Sequence, residues 1–72
     1  MSRYVDPDLL DHTAYAVTSY SECLGDGTYR IDDPSPIMAH LARIFPDVNL
    51  VDVNTAYEAL GTRGIHVLKP NR

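Results

Sequence analysis

At 72 residues the chain has room for one small domain with a thin core, which leaves little reserve for a deep substrate cavity or strained catalytic geometry and weighs against an enzyme. Its single cysteine, Cys23, excludes an internal disulfide, and no apolar run approaches the ~18 residues of a membrane span. With no export signal at the start and a formal net charge of −4, the composition predicts a soluble cytoplasmic protein that makes no use of a membrane.

Asp6-Pro7-Asp8 predicts the start of a first helix: an Asp cap, Pro at the first helical position, and a second acid at the positive end of the dipole. Leu10, Ala14, Val17, Tyr20 or Ser21, and Leu24 recur at helical spacing up to Gly25, so the helix is assigned to about 7–24, with Cys23 packing as a small hydrophobe near its end. Gly25-Asp26-Gly27 reads as a turn, and Thr28 to Ile31 as a short strand. Asp32-Asp33-Pro34-Ser35-Pro36 prepares a second helix over about 36–45, capped by Asp33 or Ser35, with Ile37, Met38, Leu41, Ile44 and Phe45 on one face and Pro46 at its end.

The segment 48–53 reads in two ways, as a strand followed by a helix capped at Asn54, or as the start of a helix capped at Asn49. The helix from 49 or 50 is preferred, because Leu50, Val53, Tyr57 and Leu60 then share a stripe that Gly61 and Gly64 end. Ile65 to Leu68 is the last strand, and residues 1–5 and 69–72 are expected to fray. The sum is a single α+β domain over residues 1–72, mainly helical, with three helices and a two-stranded sheet in the order α-β-α-α-β.

The stretch "IMAHLARIFPDVNLVDVNTAYEALGTRGIHVL", residues 37–68, resembles the core of winged helix-turn-helix proteins: a helix ending at Phe45, a turn at Pro46-Asp47-Val48, a second helix, then Gly64 and a strand where a wing would begin. The resemblance implies a small DNA-binding transcriptional regulator acting as a dimer. Arg43, Arg63, Lys69 and Arg72 would touch phosphates, with Asn54 and Thr55 facing bases. Asp52 and Glu58 on the would-be recognition helix repel phosphates, and a DNA-binding face draws most of its affinity from cations.

No constellation commits the chain to chemistry. Cys23, His12, His40 and His66 have neither CxxC nor HxxxH spacing, Gly25-Asp26-Gly27 lacks the lysine and following helix of a phosphate loop, and Asp32-Asp33 lacks the further oxygens a calcium ion needs. Catalytic, metal-binding and cofactor-binding residues are therefore all assigned as none, and the histidines are placed at the surface or at caps.

Charge and tyrosines carry the functional expectation. Residues 1–36 hold seven acids against two bases, while residues 37–72 hold three acids against four bases. Of the five tyrosines, Tyr20 and Tyr57 are assigned to half-buried packing with their hydroxyls in water, and Tyr4 and Tyr15 to an interface, where tyrosine supplies amphipathic area at modest entropy cost. The leading reading is a non-enzymatic, acidic protein-binding module, an inhibitor or regulator of the kind small phage proteins supply. It would occlude a basic, nucleic-acid-binding surface of its protein partner through Tyr4, Asp8, Asp11, Tyr15 and Glu22.

Overall fold

Asp6 opens the first helix as its place before Pro7 predicts: its carboxylate accepts a hydrogen bond from the Asp8 N–H at 3.0 Å, and Pro7 takes the first helical position. In the computed structural model, which describes residues 5–69, this helix (α1, Pro7–Tyr20) is followed by two strands (β1, Glu22–Gly25; β2, Thr28–Arg30) and two helices (α2, Ser35–Ile44; α3, Leu50–Ala59). A 3-10 turn over Leu60–Arg63 and a last strand (β3, His66–Leu68) complete the chain. The α+β class and the order of elements are as expected, but the sheet has three strands, ordered β1-β2-β3, rather than two.

The additional strand comes from residues assigned to the first helix. That helix ends at Tyr20 and not at Leu24, because Ser21 turns to extended backbone (φ −115°, ψ 163°) and the next residues pair antiparallel with β2, Glu22 opposite Arg30 and Cys23 opposite Tyr29. Asp26 and Gly27, at φ 54° and 76°, are the central pair of the hairpin, and a two-residue turn of this twist requires positive φ at both. Leu24 and Cys23 consequently stand exposed on an edge strand, which corrects the placing of Leu24 on the helix stripe and of Cys23 as a packed small hydrophobe at the helix end.

β3 joins the other side of β2 in parallel, with Thr28 opposite His66, Tyr29 opposite Val67 and Arg30 opposite Leu68. A parallel pair needs a long crossover, and α2 with α3 supplies it. The cap position of α2 is Pro34, which offers no side-chain acceptor, rather than Asp33 or Ser35; the acceptor stands one residue earlier, whereas α3 is capped by the expected Asn49. Asp33 accepts from the Ser35 N–H at 3.0 Å, and Asn49, in extended conformation, accepts from the Asp52 N–H at 2.9 Å. The segment 48–53 thus enters a helix, and the strand alternative falls.

The core lies where the three helices meet the inner face of the sheet. Ala16 and Val17 from α1, Ile37 and Leu41 from α2, and Val53, Ala56 and Leu60 from the α3 region are fully sealed from solvent, with Ile31 between sheet and helices. Tyr29 and Val67, neighbours in register, pack against this cluster. Leu50 is 62% exposed despite its place on the predicted stripe, while Val53, one turn further on, is sealed from solvent. Among the described residues, no helix is long and apolar enough to cross a membrane.

Tyr57 departs from its assignment in a testable way. It is 6% exposed, and its hydroxyl is sealed from water with no hydrogen-bond partner, whereas Tyr20 is 48% exposed. An unsatisfied buried hydroxyl costs about 1–3 kcal/mol, so Tyr57→Phe, which keeps the ring, is expected to stabilise the fold by about 1 kcal/mol. In calorimetry that corresponds to a Tm rise of about 4–8 °C. Burial also raises the Tyr57 phenol above its ordinary pKa of 10.0. The folded state therefore holds this proton to higher pH than the unfolded state, and stability is lost as pH rises above about 10. The advantage of Tyr57→Phe should widen there, and an unchanged difference between pH 7 and pH 11 would contradict the burial of this group.

Candidate functional site

Helix-terminal turns build a groove on the surface of the molecule. Asp6 ends the approach to α1, Pro46 stops α2 and sends the chain into a turn closed by a Val48 N–H to Phe45 carbonyl hydrogen bond of 2.9 Å, and Asn49 then starts α3. Between the N-terminal turn of α1, the C-terminal end of α2 and the start of α3 lies an open groove of about 480 Å³. Its apolar lining is Val5, Leu9, Ile44, Phe45, Pro46 and Val48.

The polar lining consists of Asp6, Asp47, Asp52 and Thr55. Three of these are carboxylates, and among the described residues no Lys or Arg forms an ion pair with any of them. The Thr55 hydroxyl donates to the Val51 carbonyl at 2.9 Å, so the lining side chains present hydrogen-bond acceptors and no free donor. The N-termini of α1 and α3 border the groove with about half a positive charge each, which leaves the three carboxylates in excess. Next to the groove, Leu50 and Val51 extend the exposed apolar area.

Phe45 joins this groove to an aromatic cluster between α1 and α2. Its ring meets His12 edge-on at 5.7 Å, His12 lies 5.7 Å from His40, and Tyr15 and Tyr20 stand 5.3 and 6.5 Å from His40. His12 and His40 are half-buried here, which corrects their assignment to surface or cap positions; His66 is exposed in β3 as expected. The cluster backs Phe45 with rings in tilted and edge-on contact, and Tyr15, 58% exposed, remains open to a partner.

The residues singled out from the sequence fall into separate groups. Asp8, Asp11 and Tyr15 share one face of α1 at helical spacing, and all are exposed. Asp11 is not free, because Arg63 donates to it from Nη1 at 2.6 Å across 52 residues of chain. Glu22 lies apart in β1, paired with Arg30, which also reaches Asp32 at 3.1 Å. Tyr4 lies outside the described residues.

The residues expected to meet DNA are also dispersed. Arg43 is exposed in the last turn of α2, Arg63 is engaged by Asp11, and Lys69 stands 4.0 Å from Glu58. Asn54 and Thr55 are half-buried in α3, and Arg72 lies outside the described residues. Exposed pairs of this kind contribute little stability, about 0–1 kcal/mol, but each one places an anion beside the cation that a phosphate would need.

Periodicity did not indicate the groove, although a local signal was present. Ile44-Phe45 precedes Pro46-Asp47 and Leu50-Val51 follows it, adjacent apolar pairs on either side of a helix-breaking proline. Such pairs beside Pro46-Asp47 mark a helix junction with apolar side chains to spare. Among the described residues, no group of three or more His, Cys, Asp or Glu side chains is arranged to hold a metal ion. No family model, curated protein or solved structure matches the chain.

Proposed function

We propose that this chain is a non-enzymatic protein-binding module, an inhibitor or regulator that covers a basic surface of its protein partner. The observation that carries the reading is the groove: an apolar floor large enough for a partner's anchoring side chains, with a rim of three carboxylates and no pairing cation among the described residues. Apolar anchors supply affinity, while complementary charge steers encounter and selects the partner. The excess of acids in residues 1–36 adds to the same field.

The winged-helix reading would place the α3 face against duplex DNA. Asp52 and Glu58 lie on that helix, and Arg63 and Lys69 each have a carboxylate beside them, so protein binding is the better-supported use of this surface.

Affinity capture with the tagged chain, run with and without nuclease, separates the two readings. A partner recovered in stoichiometric amount after nuclease, and released as salt is raised, is the expected result. Recovery of DNA, with every protein lost on nuclease treatment, would establish the DNA-binding reading instead, and a set of purely acidic partners insensitive to salt would remove the charge argument.

A further inference from the structure

We infer that the groove between α1, α2 and α3 receives an amphipathic helix of the partner, with large apolar residues on its buried face and Lys or Arg along its margins. This rests on the protein-binding reading and names the occupant of the site. The charge requirement follows from the lining. Asp6, Asp47 and Asp52 offer only acceptors, and the Thr55 hydroxyl is already committed to Val51, so the occupant must bring the donors, and positive ones match the rim best.

The conformation follows from the floor. Val5, Leu9, Ile44, Phe45 and Val48 give an extended peptide no ladder of backbone partners, and the sheet edges belong to β1 and β3, neither of which lines the groove. A helix satisfies its own backbone hydrogen bonds and can lay one apolar stripe into such a groove. A second copy of this chain is a poor occupant, because an isologous pairing would set the three carboxylates against their own symmetry mates. Phosphate-bearing ligands meet the same repulsion.

The test uses the full chain, labelled with 15N, and a synthetic peptide of about four helical turns, or about 14 residues, with Leu at i, i+3 or i+4, and i+7 and Lys at its remaining positions. A scrambled peptide of the same composition and one with Glu in place of Lys serve as controls. Backbone shifts centred on the groove are expected, at Val5, Leu9, Ile44, Phe45 and Val48 and at the carboxylate positions Asp6, Asp47 and Asp52, with both controls binding at least about tenfold more weakly. Ile44→Asp should weaken the Leu/Lys peptide by about tenfold or more. Asp47→Lys, an exposed turn position that caps no helix, should weaken it about three- to tenfold without disturbing the fold.

Equal binding of the scrambled peptide, shifts centred on Tyr15 and Tyr20, or no binding at all would overturn the inference. So would dimerisation in light scattering that Ile44→Asp abolishes, since a second copy would then fill the groove. A captured partner that cross-links only to residues outside the groove would also overturn it while leaving the protein-binding reading intact. Loss of every protein partner to nuclease would instead remove the reading itself.

Discussion

Replacing Leu41 with alanine is expected to lower Tm by about 12–24 °C, the largest effect of any single truncation considered for this fold. The side chain is sealed from solvent on the face of α2 that packs against α1, in the cluster with Ile37, Val17 and Leu60. Truncating a buried leucine costs about 2–5 kcal/mol, the transfer term plus a cavity that the neighbours only partly refill, and a loss of about 3 kcal/mol, at about 4–8 °C of Tm per kcal/mol in a domain of this size, gives the drop of about 12–24 °C. Since small domains hold only about 0.05–0.15 kcal/mol per residue, such a loss consumes a large part of the total. Leu50→Ala is the matched control, because Leu50 is 62% exposed on the first turn of α3, and the change should stay within about 0.5 kcal/mol. Calorimetry with urea titration reads both variants. Comparable losses would mean that the start of α3 is buried, and the exposed apolar margin of the groove would disappear with it.

The two leucines also show how far the sequence could be read. Helix starts were legible because the chemistry is local: Asp6, Asp33 and Asn49 each satisfy a backbone N–H that the helix leaves unpaired, and each stands where that need arises. Helix ends and burial depend on what lies opposite. Leu24 falls at helical spacing from Val17 and Leu10, yet the strand it joins exists because Asp26-Gly27 folds Cys23 back onto Tyr29. Gly25-Asp26-Gly27 is legible as a turn with a strand after it, but an Asp-Gly pair is also a hairpin signal, and the helical spacing that runs on to Leu24 hides the strand before it. Leu50 continued a periodic stripe, but periodicity reports which residues share a face and says nothing of whether another element covers it. The groove arises from that limit. Its lining comes from residues 5–9, 44–48 and 52–55, and only the packing of three helix ends leaves those side chains uncovered together. Asp11 shows the same limit for charge, since its partner Arg63 is 52 residues away.

The hairpin makes the second large prediction, which turns on three glycines in different environments. Gly27 has φ +76°, and a Cβ built there would lie inside van der Waals contact of the Gly64 carbonyl oxygen, a backbone atom that no rotamer change can move. The Gly27 carbonyl meanwhile accepts the His66 N–H at 2.8 Å, which fixes β3 beside β2. Gly27→Ala combines a left-handed conformation unfavourable to alanine with a clash that must pry the start of β3 from the hairpin, and it is expected to cost about 3 kcal/mol. Gly25, at φ +96° with open space around its Cβ position, carries the conformational penalty alone, and Gly25→Ala should cost about 1 kcal/mol. Gly61 has neither positive φ nor a neighbour in reach, so Gly61→Ala should be neutral or should stabilise by about 0.4–1 kcal/mol through the unfolded chain. Urea denaturation should therefore rank the variants Gly61→Ala, Gly25→Ala, Gly27→Ala in order of falling stability. If Gly25→Ala and Gly27→Ala were equally mild, the close approach of Gly27 to Gly64, and with it the parallel pairing of β2 and β3, would be wrong. The sheet would then revert to a lone β1-β2 hairpin.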